Sequence, residues 1–166
     1  MAKTNSLGEG KSLKVISESP QFTNLIGKIL GANAREGDIF CLEGELGSGK
    51  TCLIGGIAEG LDVEDGIFSP SFIIVAPHRG KIPLFHIDLY RLEEEDIQEL
   101  GLEEYIYGNG VCAIEWAEKA RKVIPSSHLW IRIEYHDKGR LINFLPRGER
   151  YIELLRELRE FACHRN

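Results

Sequence analysis

No stretch of this chain approaches about 18 uninterrupted apolar residues, so no membrane-spanning helix is written in it. The start, Met1 to Lys14, is polar and holds no apolar run of signal-peptide length, and the expected location is the cytoplasm. The cysteines Cys41, Cys52, Cys112 and Cys163 stand far apart with no Cys-x-x-Cys among them. That spacing excludes a zinc knuckle and a redox dithiol, and all four read as reduced core residues. No repeat, low-complexity block or Pro/Ser/Gly linker divides the sequence. An excess of positive charge is missing too: 26 acidic against 20 basic residues give a net charge of −6. This argues against gripping a phosphate backbone by charge, and neither DNA nor a membrane is an expected partner.

What is present is the balance of one soluble globular domain, with 166 residues, 43% of them apolar and 28% charged. A chain of this length buries roughly 70% of its unfolded surface and folds without a metal or disulfide staple. The expected organisation is a single domain over 1–166, with 1–11 as a flexible N-terminal arm.

Along the chain, Leu13 to Ser17 is short and β-prone, and Ser19-Pro20 opens a helical pattern carried by Phe22, Leu25, Ile26, Ile29 and Leu30 to about Gly31. Ile39 to Leu42 reads as a buried strand, Gly44 to Gly49 as a glycine-rich loop, and Lys50 to about Gly60 as a helix. Ser71 to Ala76 and Ile82 to Ile87 are strand-like runs around a hairpin connection at His78 to Lys81. Leu92 to Tyr107 reads as broken helical turns around Gly101, with Leu100 among the apolar positions and the carboxylates outward. Val111 to Ile114 is a further apolar strand, Leu129 to Tyr135 and Arg140 to Leu145 a second hairpin, and Arg150 to Phe161 an amphipathic helix. The alternation predicts an α/β fold with a mixed sheet.

The chemistry is concentrated in Gly44-Glu45-Leu46-Gly47-Ser48-Gly49-Lys50-Thr51, which fits G-x-x-x-x-G-K-[ST]. Glycines allow backbone conformations closed to other residues and let successive N–H groups face inward at a helix start, a concave site for phosphate. Lys50, expected on an exposed loop, meets the β- and γ-phosphates as a mobile point charge. Thr51 offers a hydroxyl to an octahedral Mg²⁺, and the nucleotide-binding segment is drawn through Cys52. At average residue frequencies such a match arises by chance in roughly 0.6% of chains this long.

Hydrolysis also needs an acidic group at a neighbouring strand end, to complete the metal shell or orient water. Glu115 follows the apolar strand Val111 to Ile114, and Asp88 ends the run from Ile82 in the same manner. For either residue a capping or ion-paired role competes with the functional one. Lys50, Asp88 and Glu115 are the candidate catalytic residues, and Thr51 with Glu115 the candidate metal ligands. His86, two residues before Asp88, shares its strand face; with no third ligand at useful spacing, it reads as a structural or orienting histidine. Trp116 is a candidate for packing against the phosphate loop.

With these residues in place, the chain resembles the TsaE (YjeE) family of P-loop ATPases that assist synthesis of threonylcarbamoyladenosine in tRNA. The blocks that carry the resemblance are Gly44 to Thr51, Ser69-Pro70-Ser71-Phe72, His86-Ile87-Asp88-Leu89-Tyr90-Arg91-Leu92, Glu99 to Tyr105, and Ile114-Glu115-Trp116. The resemblance implies a single P-loop NTPase-like domain whose mixed, mostly parallel sheet is flanked by helices and additional hairpins. It further implies ATP and Mg²⁺ as cofactors and TsaD and TsaB as partners, and with the acidic balance weakening direct capture, contact with tRNA is expected through that assembly. By the same resemblance the metal positions fall on Thr51 and Glu115, an activity-linked acidic position on Asp88, and adenine-side contacts near Ser17 and Arg140. The chain departs from the family in having Ser71 where Thr is usual and Ala117 where Pro is usual.

Three functions remain open on the sequence: an ATPase that drives or resets a tRNA-modifying assembly, a small P-loop kinase, and a nucleotide sensor without useful turnover. Arg79, Arg121 and Arg140 are the arginines a kinase lid would draw on, and none sits in a lid-like segment.

Overall fold

The computed structural model describes residues 12–66 and 74–164. The expected arm, 1–11, and the block Ser69 to Phe72, including Ser71, lie outside the described residues.

Strand β1 (Leu13–Ser17) leads into helix α1 (Pro20–Ala32). The helix starts where it does because the Ser19 side chain accepts the Phe22 N–H and Pro20 occupies the first turn, where a missing N–H costs nothing. Strand β2 (Ile39–Glu43) runs through the glycine loop into helix α2 (Lys50–Gly60). The strands β3 (Val75–His78) and β4 (Leu84–Asp88) form the expected antiparallel hairpin. Short helices α3 (Glu94–Gln98) and α4 (Glu103–Ile106) flank Gly101, whose φ of +66° lets the chain break between them. Then come β5 (Val111–Glu115), a 3₁₀ turn at Ala117–Ala120, the long hairpin β6 (His128–His136) and β7 (Gly139–Arg147), and helix α5 (Glu149–Cys163).

The strands form one seven-stranded sheet in the order β1-β7-β6-β2-β5-β4-β3. Strands β1, β6, β2, β5 and β4 run one way, β7 and β3 the other, so the sheet is mixed and mostly parallel in direction. Strand β2 is central, and both β2 and its neighbour β5 are apolar on both faces, as parallel strands covered by helices must be. Phe40, Leu42, Leu84, Val111 and Ala113 pack under α1, α2 and α5. Cys41, Ile87, Cys112 and Ile114 pack under α3, α4 and the 3₁₀ turn.

Helices α1 and α2 pack closely through Gly27 and Gly31 on one and Gly56 and Gly60 on the other. A Cβ at Gly56 would collide with the Asn24 carbonyl, and one at Gly31 with the Ile57 carbonyl.

Three expectations need correction. Only Cys41 and Cys112 are core residues; Cys52 is half-buried on α2 and Cys163 is exposed at the end of α5. Leu100 is exposed, because α3 is too short to carry the periodic face that far. Lys50 is not on the surface: its residue is 4% exposed, since it lies in the first turn of α2 beneath the loop. All four cysteines are unpaired, as expected.

Candidate functional site

The loop from Gly44 to Gly49 leaves the C-terminal end of β2, the middle of the sheet. Gly47 and Gly49 have φ of +77° and +113°, a region side chains rarely enter, and Gly49 caps α2. Gly44 is needed for a different reason: a Cβ there would press on the Ile133 carbonyl and the Ser48 hydroxyl. Inside the loop the Ser48 N–H donates to the Glu45 carbonyl at 3.0 Å, and the buried Ser48 Oγ has no partner.

The β6–β7 hairpin holds the loop from outside. Tyr135 Oη donates to the Leu46 carbonyl at 2.9 Å, Arg140 Nε to the Ser48 carbonyl at 2.9 Å, and Arg140 Nη2 to the Gly47 carbonyl at 3.2 Å. The guanidinium also stacks over the Tyr135 ring at 4.3 Å. Because a trans peptide sets its C=O and N–H on opposite sides, carbonyls turned toward the hairpin aim the N–H groups of Gly47 and Gly49 away from it. Ser17 is the register partner of Arg140 across β1 and β7, so the two residues expected on the adenine side are neighbours at this corner. The Ser17 hydroxyl is buried and engaged with Thr23 Oγ1 at 2.7 Å and the Ser19 carbonyl at 2.9 Å. The clamping role of Arg140 on loop carbonyls, and that of Tyr135, were not legible in sequence; no local motif links a hairpin to a loop some 90 positions earlier.

Lys50 Nζ donates to the carbonyls of Gly44 at 2.6 Å and Glu45 at 2.9 Å and lies 4.3 Å from the centre of the Trp116 ring. Burial lowers its pKa from the ordinary lysine value, and Glu115, Glu118 and Asp88 oppose that shift. Trp116 takes a left-handed backbone, φ +59°, at the turn after β5, a strained conformation for a bulky residue. It packs on Tyr90 with ring centres 5.0 Å apart, while Lys119 Nζ ties the Tyr90 and Leu92 carbonyls at 2.7 and 3.0 Å. Between Trp116, Glu118 and the end of β6 a cavity of about 770 Å³ opens along the loop.

On the other side of β2 from the hairpin stand the acids. Asp88 and Glu115 are register partners at the ends of β4 and β5. Thr51 Oγ1 donates to Glu115 Oε1 at 2.9 Å, and the buried His86 Nε2 meets Glu115 Oε2 at 2.7 Å. Asp88 Oδ1 accepts the Tyr90 N–H at 3.0 Å. The structure thus brings together Lys50, Thr51, Asp88, Glu115, His86 and Trp116 around one loop. Cys52, one residue on, turns back toward α1 and donates to the Pro20 carbonyl at 3.2 Å. A hydroxyl and a carboxylate are the hard oxygen donors that Mg²⁺ takes when phosphate and water complete its shell, so this pair fits the metal. Among the described residues no group of three His, Cys, Asp or Glu forms a protein-only metal cage.

A sequence model of the family described as threonylcarbamoyl adenosine biosynthesis protein TsaE matches residues 17–142, a span that holds every one of these side chains. The chain belongs to the TsaE family. It is 42% identical over 150 residues to the TsaE protein of Bacillus subtilis, covering 89% of this chain and 94% of that one. The TsaE protein of Treponema pallidum is 40% identical over 114 residues, covering 68% and 84%. A crystal structure of Bacillus subtilis YdiB superposes with a TM-score of 0.78 at 39% identity, covering 96% of this chain and all of that one. The TsaE family expectation for the fold is met by the mixed sheet. No helix among the described residues is long and apolar enough to cross a membrane.

Proposed function

We propose that this chain binds ATP with Mg²⁺ and hydrolyses it in support of the threonylcarbamoyl modification of adenosine 37 in tRNA, acting in the cytoplasm with the TsaD and TsaB proteins. The observation that carries the reading is the meeting of Thr51 and Glu115 at 2.9 Å, a P-loop hydroxyl against a strand-end carboxylate. The names of the relatives support the pathway.

In this reading the Gly47 and Gly49 N–H groups receive phosphate oxygens. Lys50 exchanges the Gly44 and Glu45 carbonyls, which now hold its ammonium, for the β- and γ-phosphates. Thr51 and Glu115 would hold the metal, which would supply positive charge against the phosphates. Asp88, beside Glu115, orients water. In this reading the nucleoside lies on the hairpin side of β2, across from these acids, at the corner where Ser17 and Arg140 are register partners. The acidic net charge leaves contact with tRNA to the partners.

Nucleotide binding and steady-state hydrolysis test this, first with the purified chain and then with TsaD, TsaB and tRNA added. Lys50→Ala is expected to lose most of the ATP affinity while remaining folded, and Glu115→Gln to retain nucleotide but lose Mg²⁺-dependent turnover. A folded Lys50→Ala variant that binds ATP as the wild type does overturns the phosphate-loop assignment. A fast wild-type rate unchanged by the partners overturns the dependence on them.

A further inference from the structure

We infer that His86 is a positioning residue for the metal carboxylate: it holds Glu115 Oε2 from beneath, so that Oε1 faces Thr51 and the metal position. This rests on the P-loop reading above.

The strand pattern puts His86 there. On β4 the side chains of Leu84, His86 and Asp88 share one face, and their register partners on β5 are Val111, Ala113 and Glu115. Leu84, Val111 and Ala113 belong to the core under α1 and α2, so His86 and Glu115 point to the side from which α2 brings Thr51. The residue directly across from His86 is Ala113, whose small side chain leaves room for the imidazole to reach diagonally to Glu115. The contact is 2.7 Å, with the histidine side chain 0% and the glutamate 4% exposed. A carboxylate oxygen only accepts, so the hydrogen in this contact sits on Nε2.

Packing alone does not account for a histidine here. His86 Nδ1 is buried without a hydrogen-bond partner, and such a group disfavours the fold. Phenylalanine would fill comparable space without that cost; what it lacks is a donor toward Glu115. Without such a donor the carboxylate can rotate about its terminal bond and face Thr51 with either oxygen. Lysine or arginine would supply a donor but would compete with the metal for the negative charge. Histidine supplies one directed hydrogen bond, the usual work of a residue that orients a metal ligand.

The test is the affinity of Mn²⁺ for the complex of the protein with a non-hydrolysable ATP analogue, read from the signal of free Mn²⁺ in electron paramagnetic resonance. Alongside it run analogue affinity in EDTA and a thermal melt. His86→Phe is expected to weaken Mn²⁺ by roughly 10- to 100-fold, the range for partners of metal ligands, with metal-free analogue affinity within about twofold of wild type. His86→Gln, whose amide nitrogen reaches the place of Nε2, should recover most of that loss, and His86→Asn, too short to reach Glu115, should not. A folded His86→Phe with wild-type Mn²⁺ affinity overturns the inference. If that variant does not fold, equal Mn²⁺ affinities for the Gln and Asn variants overturn it instead. A wild-type protein that binds neither analogue nor Mn²⁺ overturns the P-loop reading as well, which separates the two failures.

Discussion

Beneath the glycine loop, α2 lies against α1 on a seam of glycines; from across the sheet, the β6–β7 hairpin reaches the same loop with a guanidinium and a phenol. The seam works by exclusion. Backbone meets backbone through Gly27, Gly31, Gly56 and Gly60, and there is no space for even one methyl group. The hairpin works by directed hydrogen bonds from side chains that are partly in water. Packing of the first kind fixes where the helix and its N-terminus stand, and any added atom disturbs the whole support. The polar clamp fixes only how three loop carbonyls turn, so its loss should be felt in ligand binding more than in folding.

The largest effect expected from breaking this contrast is on the seam. Gly56→Val places a branched side chain against the Asn24 carbonyl and should cost about 3 kcal/mol, the upper part of the range for overpacking. For a chain of this size that lowers the melting temperature by roughly 6 to 12 °C. Gly55→Ala, one position away, is the control: the nearest atom to its Cβ is Asn24 Nδ2 at 3.8 Å, an ordinary contact, and alanine favours the helix. Melts of the two variants that coincide would show that the seam is not close-packed.

The clamp should give a smaller effect and in a different measurement. Arg140→Ala removes two donors to the loop and is expected to weaken ATP binding by about tenfold, near the lower end for hydrogen bonds from charged groups. Its melting temperature should stay within a few degrees of wild type, because Arg140 is partly exposed and belongs to neither core. Arg140→Lys should restore only part of the affinity, since an ammonium cannot bond the Gly47 and Ser48 carbonyls as a fork. Unchanged affinity in Arg140→Ala, measured by calorimetry, would leave the hairpin without a role at the loop.

The contrast also explains which parts could be read from the sequence. Gly44 to Thr51 is a contiguous pattern whose chemistry follows from its own backbone, and Ser19-Pro20 is a local signal for a helix start. Glu115 and Asp88 were visible because strand ends are marked by the switch from apolar to acidic residues. Arg140 and Tyr135 were hidden as clamp residues, because register between β1, β7 and β6 brings them to the loop and no spacing in the chain encodes it. The burial of Lys50 was misread for a related reason: a glycine loop looks exposed until the Trp116 ring and the loop's own carbonyls close over the lysine. The glycines of α1 and α2 show the same limit, since a Gly inside a helical pattern signals only weakness until the second helix is seen against it.

The smallest expected effect lies on the wall that neither support touches, at Glu118. Burial raises the pKa of its carboxyl above the ordinary 4.5, with Glu43 adding to the shift and Lys50 and Lys119 opposing it. One of its oxygens, Oε2, is buried without a hydrogen-bond partner. A carboxyl whose folded pKa lies above its unfolded one disfavours the fold only when ionised. The cost is absent well below pH 4.5, where both states are protonated, grows as pH rises past that value, and is complete once pH exceeds the raised one. Glu118→Gln removes the ionisable group, so it should melt slightly higher than wild type at pH 7, with the gap closing at pH 4. A counter-effect limits the gain: Glu118 also helps keep Lys50 protonated, and without it the lysine pKa falls further. That support exists only where Glu118 is ionised, so its loss trims the gap at pH 7 and leaves the comparison at pH 4 unchanged. The measurement is therefore the pH dependence of the difference in melting temperature between the two proteins. A difference that is the same at pH 4 and pH 7 would mean that ionising Glu118 in the folded protein carries no net cost.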